Sequence, residues 1–246
     1  MAHRKLAATA AALLGLAVVA GPVAAQTSSG TTIEVTKVSV SPNKAGTKKK
    51  PKAVKKLSVA AKVNVPDGQK RPVINKISVL FPKGSVWNGA KYPKCSQSQL
   101  TSTQEFPKSK CSKAVFGSGK ANAMADTTPT VAKITVVNGG AKNIYFYTEL
   151  DNPAVVRAPA PGKLTKKSGK WAYQLDVTIP DELQIVGGVP IAVTDLAVSA
   201  GKGSILATSS CPKDKKWPFE VTAYLEDQDT GAPLGTTKTV DSTPCK

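Results

Sequence analysis

Four carboxylates in this sequence are of the right type for acid–base chemistry: Glu149, Asp151, Asp176 and Asp195. Glycoside hydrolysis uses two such groups held a fixed distance apart, one as the acid and one as base or nucleophile. Glu149 and Asp151 stand beside Asn152 and Pro153, where a strand pattern ends, and Asp176 and Asp195 lie inside strand patterns. No local spacing marks any two of them as a pair. Asp195 interrupts the apolar stretch from Ile191 to Leu196, which suits a satisfied structural acceptor or a residue on a wet face. A second acidic group, Glu226, Asp227 and Asp229 ahead of Gly231, resembles part of a calcium loop. A full loop carries more ligands and a distal bidentate carboxylate. Asp, Thr and Gly are also ordinary hairpin-turn residues. No metal and no cofactor is therefore expected.

Composition closes other routes. The one histidine, His3, lies in the N-terminal leader, so the chain beyond it cannot assemble Ser-His-Asp or Cys-His machinery. Gly117, Ser118 and Gly119, like Gly201, Lys202 and Gly203, have the composition of short glycine turns and lack the spacing of phosphate-binding loops. Cys95, Cys111, Cys211 and Cys245 lack zinc-site spacing and, in an exported chain, read as disulfides. Three pairings are possible. Proximity favours Cys95–Cys111 and Cys211–Cys245, each contributing about 3 to 4 kcal/mol through loss of chain entropy in the unfolded state. Trp87, in a loop between charged flanks, could stack on a sugar ring or plug the edge of the core; Trp171 and Trp217 open strand alternations and are expected in the core.

The strongest binding feature is cationic. Lys44, Lys48, Lys49, Lys50, Lys52, Lys55 and Lys56 crowd one loop, residues 42–56. Such density attracts an anionic cell-surface polymer or lipid through its long-range field and counterion release. The loop has no arginine for bidentate phosphate contact and no aromatic for base stacking, which argues against specific nucleic-acid recognition. The plain alternative is a solvated, flexible loop on a basic protein.

The elements that must carry these groups begin after a leader. His3, Arg4 and Lys5 precede an apolar run from Leu6 to Ala20, broken by Gly21 and Pro22, with small residues Val23 and Ala25 ahead of Gln26. A run of about 15 residues is shorter than the ~20 needed to span a bilayer, so residues 1–25 read as a cleaved signal peptide. Its removal takes Arg4 and Lys5 and lowers the formal net charge of +18 by two. Residues 26–32 read as a flexible Ser/Thr/Gly leader and 33–246 as a single domain.

Within that domain the hydrophobic period is two. Leu57, Val59, Ala61, Val63 and Val65 alternate with polar or small residues, as do Trp171, Tyr173, Leu175, Val177 and Ile179, and again Trp217, Phe219, Val221, Ala223 and Leu225. Alternation of this kind gives a strand one buried and one wet face. Further strands are predicted over 33–40, with its phase slipping near Lys37, and over 73–81, 116–125, 131–137, 143–150, 191–199 and 204–208. Asn138, Gly139 and Gly140 mark a hairpin, and residues 227–233 turn the last one. About ten short strands with Gly/Pro punctuation predict an all-β, antiparallel β-sandwich. One short helix at most is expected, over 96–103 with Ser96 as its cap.

The chain also resembles a group of secreted actinobacterial proteins. The likeness is carried by Phe81-Pro82-Lys83-Gly84, Pro93-Lys94-Cys95, Lys110-Cys111-Ser112-Lys113 and Phe116-Gly117-Ser118-Gly119. It continues in Leu175-Asp176-Val177-Thr178-Ile179-Pro180, Val193-Thr194-Asp195-Leu196, and Cys211-Pro212-Lys213 before Trp217. The resemblance covers most of residues 57–246. It implies an exported β protein with the two sequence-proximal disulfides, and brings no activity with it. The expected function is that of a secreted, non-enzymatic protein of the envelope or extracellular space, attached electrostatically through the lysine loop. The rival classes are a secreted carbohydrate-active hydrolase using two of the four carboxylates, and a purely structural matrix component.

Overall fold

The computed structural model describes residues 29–101 and 105–246. The expected signal peptide lies outside the described residues, as does the start of the leader; of that leader, Thr31 is buried and Thr32 already opens the first strand. In chain order the elements are β1 (Thr32–Ser41), β2 (Lys52–Ala53), β3 (Lys56–Asn64), β4 (Val73–Pro82), β5 (Ser85–Trp87), α1 (Gln97–Thr101) and α2 (Lys108–Cys111). There follow β6 (Val115–Ala125), β7 (Thr128–Asn138), β8 (Asn143–Leu150), β9 (Val156–Lys166), β10 (Trp171–Thr178) and α3 (Asp181–Gln184). The chain ends with β11 (Ile185–Val186), β12 (Val189–Ala200), β13 (Leu206–Thr208), β14 (Lys216–Glu226) and β15 (Pro233–Pro244).

The protein is all-β and antiparallel, as the alternation requires. Its long strands join into one sheet in the order β1-β3-β12-β6-β7-β8-β9-β10-β4-β14-β15, with β11 appended to β12. The sheet curls until its ends meet, so the two facing walls of the core come from one nearly closed barrel. Every pairing along the path is antiparallel. Eleven strands alternating in direction leave the first and last pointing the same way. The seam between β1 and β15 is accordingly a parallel approach, bridged by side chains and termini. The Ile33 amide donates to Thr237 Oγ1 (3.1 Å) at one end. At the other, Lys246 N donates to Asn43 O (2.7 Å) and Ala45 N to Lys246 O (2.9 Å).

Local features follow the residue types. The phase slip near Lys37 is a bulge, where the β1–β3 register shifts between Val35 and Lys37. Ser96 caps α1 through a capping box: Gln99 N donates to Ser96 Oγ (3.3 Å) and Ser96 N to Gln99 Oε1 (2.9 Å). Beyond that expected helix, α2 and α3 each follow a proline, Pro107 and Pro180, whose fixed φ suits a helix start. Gly117, Ser118 and Gly119, turn-like in composition, instead lie inside β6. A Cβ on Gly117 would fall 2.5 Å from Ser199 O, and one on Gly119 2.5 Å from Ala197 O, so glycine is what lets β12 approach. Both expected disulfides are formed, Cys95–Cys111 with Cα atoms 5.4 Å apart and Cys211–Cys245 with 5.7 Å.

Candidate functional site

Strand alternation sorts the connections between two ends of the barrel. At one end lie 42–55, 83–114, 139–142, 167–170, 201–215 and the C-terminus. At the other lie 65–72, 126–127, 151–155, the α3 crossing and 227–232. The first end carries all seven predicted anion-binding lysines, and all seven are exposed. It also gathers Lys83, Lys91, Lys94, Lys108, Lys110 and Lys113, Lys142, Lys167 and Lys170, Lys202, Lys213 and Lys215, and Lys246, every one exposed. Glu105 and Asp214 are the carboxylates in these connections. The connections of the α3 end carry Asp67, Asp126, Asp151, Asp181, Glu182, Asp227 and Asp229 against Lys70 and Arg71. Charge is thus segregated along the barrel axis.

The lysine loop is held in place. Gly46 N donates to Thr208 O (3.0 Å), Val54 N to Leu206 O (2.9 Å) and Lys55 N to Ser41 O (2.8 Å), while β2 pairs with β13. At its tip Thr47 N donates to Lys50 O and Lys50 N to Thr47 Oγ1, both 3.0 Å. Buried Val54 anchors the return leg. This bonding replaces the loose loop that composition alone allowed, and it presents Lys48, Lys49 and Lys50 at a fixed apex. The sheet β2-β13-β5 formed here lies across the barrel end. Trp87 belongs to it and plugs the core: its Nε1 donates to Gly140 O (3.0 Å) and its ring packs on Phe116 with centroids 5.6 Å apart. Trp217 is buried in the core as expected, whereas Trp171 is only half-buried, outside the core clusters, with Lys170 Nζ 4.7 Å from its ring centroid.

The residue that organises this end was not singled out in the sequence. Asn138, expected only as a hairpin residue, is fully buried. Its Nδ2 donates to Gly89 O (2.9 Å) and Pro93 O (2.8 Å), its Oδ1 accepts from Gly140 N (2.9 Å), and its carbonyl accepts from Cys95 N (2.9 Å). One side chain therefore pins the 83–114 excursion to the β7–β8 turn. The excursion then lays Cys95, Leu100, Phe106 and Cys111 over the outward tyrosines Tyr145 and Tyr147 of β8.

The carboxylates are distributed differently. Glu149 and Asp151 converge on Arg157: Glu149 lies 3.6 Å from Arg157 Nε, and Arg157 Nη2 contacts Asp151 directly. The hydrogen bond from Arg157 and its charge hold the Asp151 carboxyl below the usual range. Asp176 accepts from Ser78 Oγ and Gln174 Nε2, with Lys76 Nζ 3.4 Å away. Asp195 accepts from Asn122 Nδ2 (2.7 Å) and Thr194 Oγ1 (3.2 Å). Leu175, Val177, Thr148, Leu150, Val193 and Leu196 line the barrel interior, so Asp176, Glu149 and Asp195 on the same strands point outward. Four strands, β6 to β9, lie between β12 and β10 in the sheet, which separates Asp176 from Asp195. In the acidic turn, Asp227 Oδ1 accepts from Asp229 N (3.0 Å), Thr230 N (2.9 Å) and Thr230 Oγ1 (2.9 Å), and Asp229 pairs with Lys70. Among the described residues no group of acidic, Cys or His side chains could hold a metal ion.

The interior is an apolar cavity of about 240 Å³. An eight-stranded barrel is about as wide as its side chains can fill, and diameter grows with strand number. Eleven strands make the bore wider, and the lining does not compensate: Ala121, Ala123, Ala132 and Ala160 face it with single methyl groups. Its polar lining is Thr148 and Gln184, whose Oγ1 and Nε2 already donate to Phe146 O (3.2 Å) and Ile179 O (2.7 Å). Water needs two to four polar partners to be held in such a space. No family model matches the chain, and comparison with curated proteins finds no match.

Proposed function

We propose that this is an exported, non-enzymatic binding protein that attaches to polyanionic surfaces, phosphate-bearing polymer or anionic lipid, through the lysine-bearing end of its barrel. The observation that carries the reading is the segregation of charge. Lysines from five separate connections and the C-terminus meet at one end, and the opposite end is predominantly acidic. A molecule so polarised is drawn to a negative surface and turned by it, basic end first. Extended lysine ammoniums with few carboxylates near them suit sequence-independent attraction to many phosphates at once, where bidentate recognition would use arginine. The two disulfides are compatible with an oxidising compartment. No helix among the described residues is long and apolar enough to cross a membrane.

The test is co-sedimentation of the chain beginning at Gln26 with vesicles of zwitterionic lipid, with and without an anionic lipid, and its retention on a polyphosphate resin. The expected result is binding to the anionic supports at low ionic strength that declines steeply as salt is raised. Retention indifferent to salt, or none at low salt, overturns the proposal.

A further inference from the structure

The structure assigns a second binding site, inside the barrel: a cavity for one neutral, predominantly aliphatic molecule, admitted at the α3 end. It is independent of attachment to a surface. At about 240 Å³ the cavity exceeds the ~150 Å³ apolar void that suffices to bind benzene, and its lining offers too few free polar partners to stabilise water. Its shape comes from the fold, because an eleven-stranded wall is combined with alanines at inward positions of β6, β7 and β9. It runs from Leu206 and Phe116 below the basic end to Leu183 and Gln184 at the other. That length with apolar walls suits a single chain.

The two ends are closed to different degrees. Consecutive strands β4 and β6 are not neighbours, and neither are β12 and β14, so two connections must cross the basic end. Both take part in the sheet β2-β13-β5, and each contains a disulfide-bonded cysteine. The α3 end is also crossed twice, by residues 65–72 between β3 and β4 and by residues 179–188 between β10 and β12, but neither crossing carries a disulfide, and the second places Leu183 and Gln184 into the lining. Three of the large hydrophobic residues exposed among the described residues stand on elements at this end, Val155 at 69%, Ile185 at 53% and Val131 at 52%. An aliphatic molecule meeting that rim has a short helical turn between it and the bore. The head of such a ligand would lie near the Gln184 amide and close to Asp181 and Glu182, so an uncharged hydrogen-bonding head is favoured over a carboxylate.

The experiment uses the chain beginning at Gln26 in free solution, with no anionic surface present, so its outcome is separate from that of the attachment assay. The neutral fluorophore N-phenyl-1-naphthylamine is titrated, then competed with 1-decanol, with decanoate and with a single-chain lysophospholipid. Saturable one-to-one binding displaced by decanol is expected. Displacement by decanol alone assigns the site to free aliphatic alcohols and their like, and displacement by the lysophospholipid as well assigns it to single-chain lipids. Ala121→Leu, Ala123→Leu and Ala160→Leu each fill the bore from the wall, and each should weaken binding at least tenfold while the ligand-free variant melts at or above the parent. Should a leucine prevent folding, native mass spectrometry of the parent with decanol counts the bound molecule directly. Absence of saturable binding, folded leucine variants that bind like the parent, or decanoate binding tenfold tighter than decanol overturns the assignment.

Discussion

At the scale of residues, Asn138 and Asp176 show why polar groups were the hardest part to read. Asn138 sits where a glycine-rich turn was expected, and the turn is there. Its larger role depends on the carbonyls of Gly89 and Pro93, more than forty residues away, and no sequence period reports those contacts. Asn138→Ala leaves buried carbonyls without donors. It should cost about 2 to 3 kcal/mol, read as a lower urea midpoint with an unchanged slope. Asp176 looked like half of a catalytic pair by type alone. In place it is an outward acceptor: burial opposes its ionisation, but hydrogen bonds from Ser78 and Gln174 and the charge of Lys76 outweigh this and hold its carboxyl below the usual range. A depressed native pKa contributes stability that is present above the unfolded value of about 3.9 and is lost as pH falls through the native one. Asp176→Asn should therefore destabilise at neutral pH, and its deficit relative to the parent should shrink on acidification from about pH 5 downward. Urea melts across that range check the convergence.

At the scale of elements, period-two alternation was legible wherever a strand has one face in the bore and one in solvent. It located β3, β10 and β14, and the phase slip at Lys37 located the β1 bulge, because a single extra residue flips every later side chain. β9 was missed. Its run Ala158-Pro159-Ala160-Pro161-Gly162 has loop composition. The strand tolerates it because β8 pairs with β9 from Val156 to Lys163, whereas β10 joins only from Gly162 onward, leaving the proline half with one unpaired edge. The disulfides were legible from spacing, but their work belongs to the crossings. Cys211–Cys245 ties the end of β15, beside the seam, to the connection leading into β14, over a separation of 34 residues. Cys95–Cys111 closes a separation of 16 around α1 and α2. Loss of chain entropy puts C211A/C245A at about 4 kcal/mol and C95A/C111A at about 3. Urea denaturation of the two double variants should rank them in that order.

At the scale of the whole molecule, the lysine loop was legible and the charge polarity was not. Lys83 to Lys113, Lys142, Lys167, Lys170, Lys202 to Lys215 and Lys246 are scattered along the sequence. They reach one end only because eleven strands alternate in direction, so that connections of the same parity share an end. The bore was hidden for the same reason, since its width depends on strand number and closure. Polarity makes a claim that net charge does not: the position of a removed lysine should matter more than the number removed. Lys48, Lys49 and Lys50 form the apex of the basic end, whereas Lys62, Lys120 and Lys133 are exposed on the outer wall, on β3, β6 and β7. Replacing either trio by alanine lowers the net charge equally. At about 1 kcal/mol per lysine held near an anionic surface, the apex triple should weaken vesicle binding by about 3 kcal/mol, roughly a hundredfold at low salt. The wall triple, held away from a surface approached end-on, should cost less than a third of that, and co-sedimentation measures both. Equal losses would mean that the barrel binds by its overall charge in no fixed orientation. Unequal losses in this sense would mean that the topology, by sorting the connections, aims the molecule.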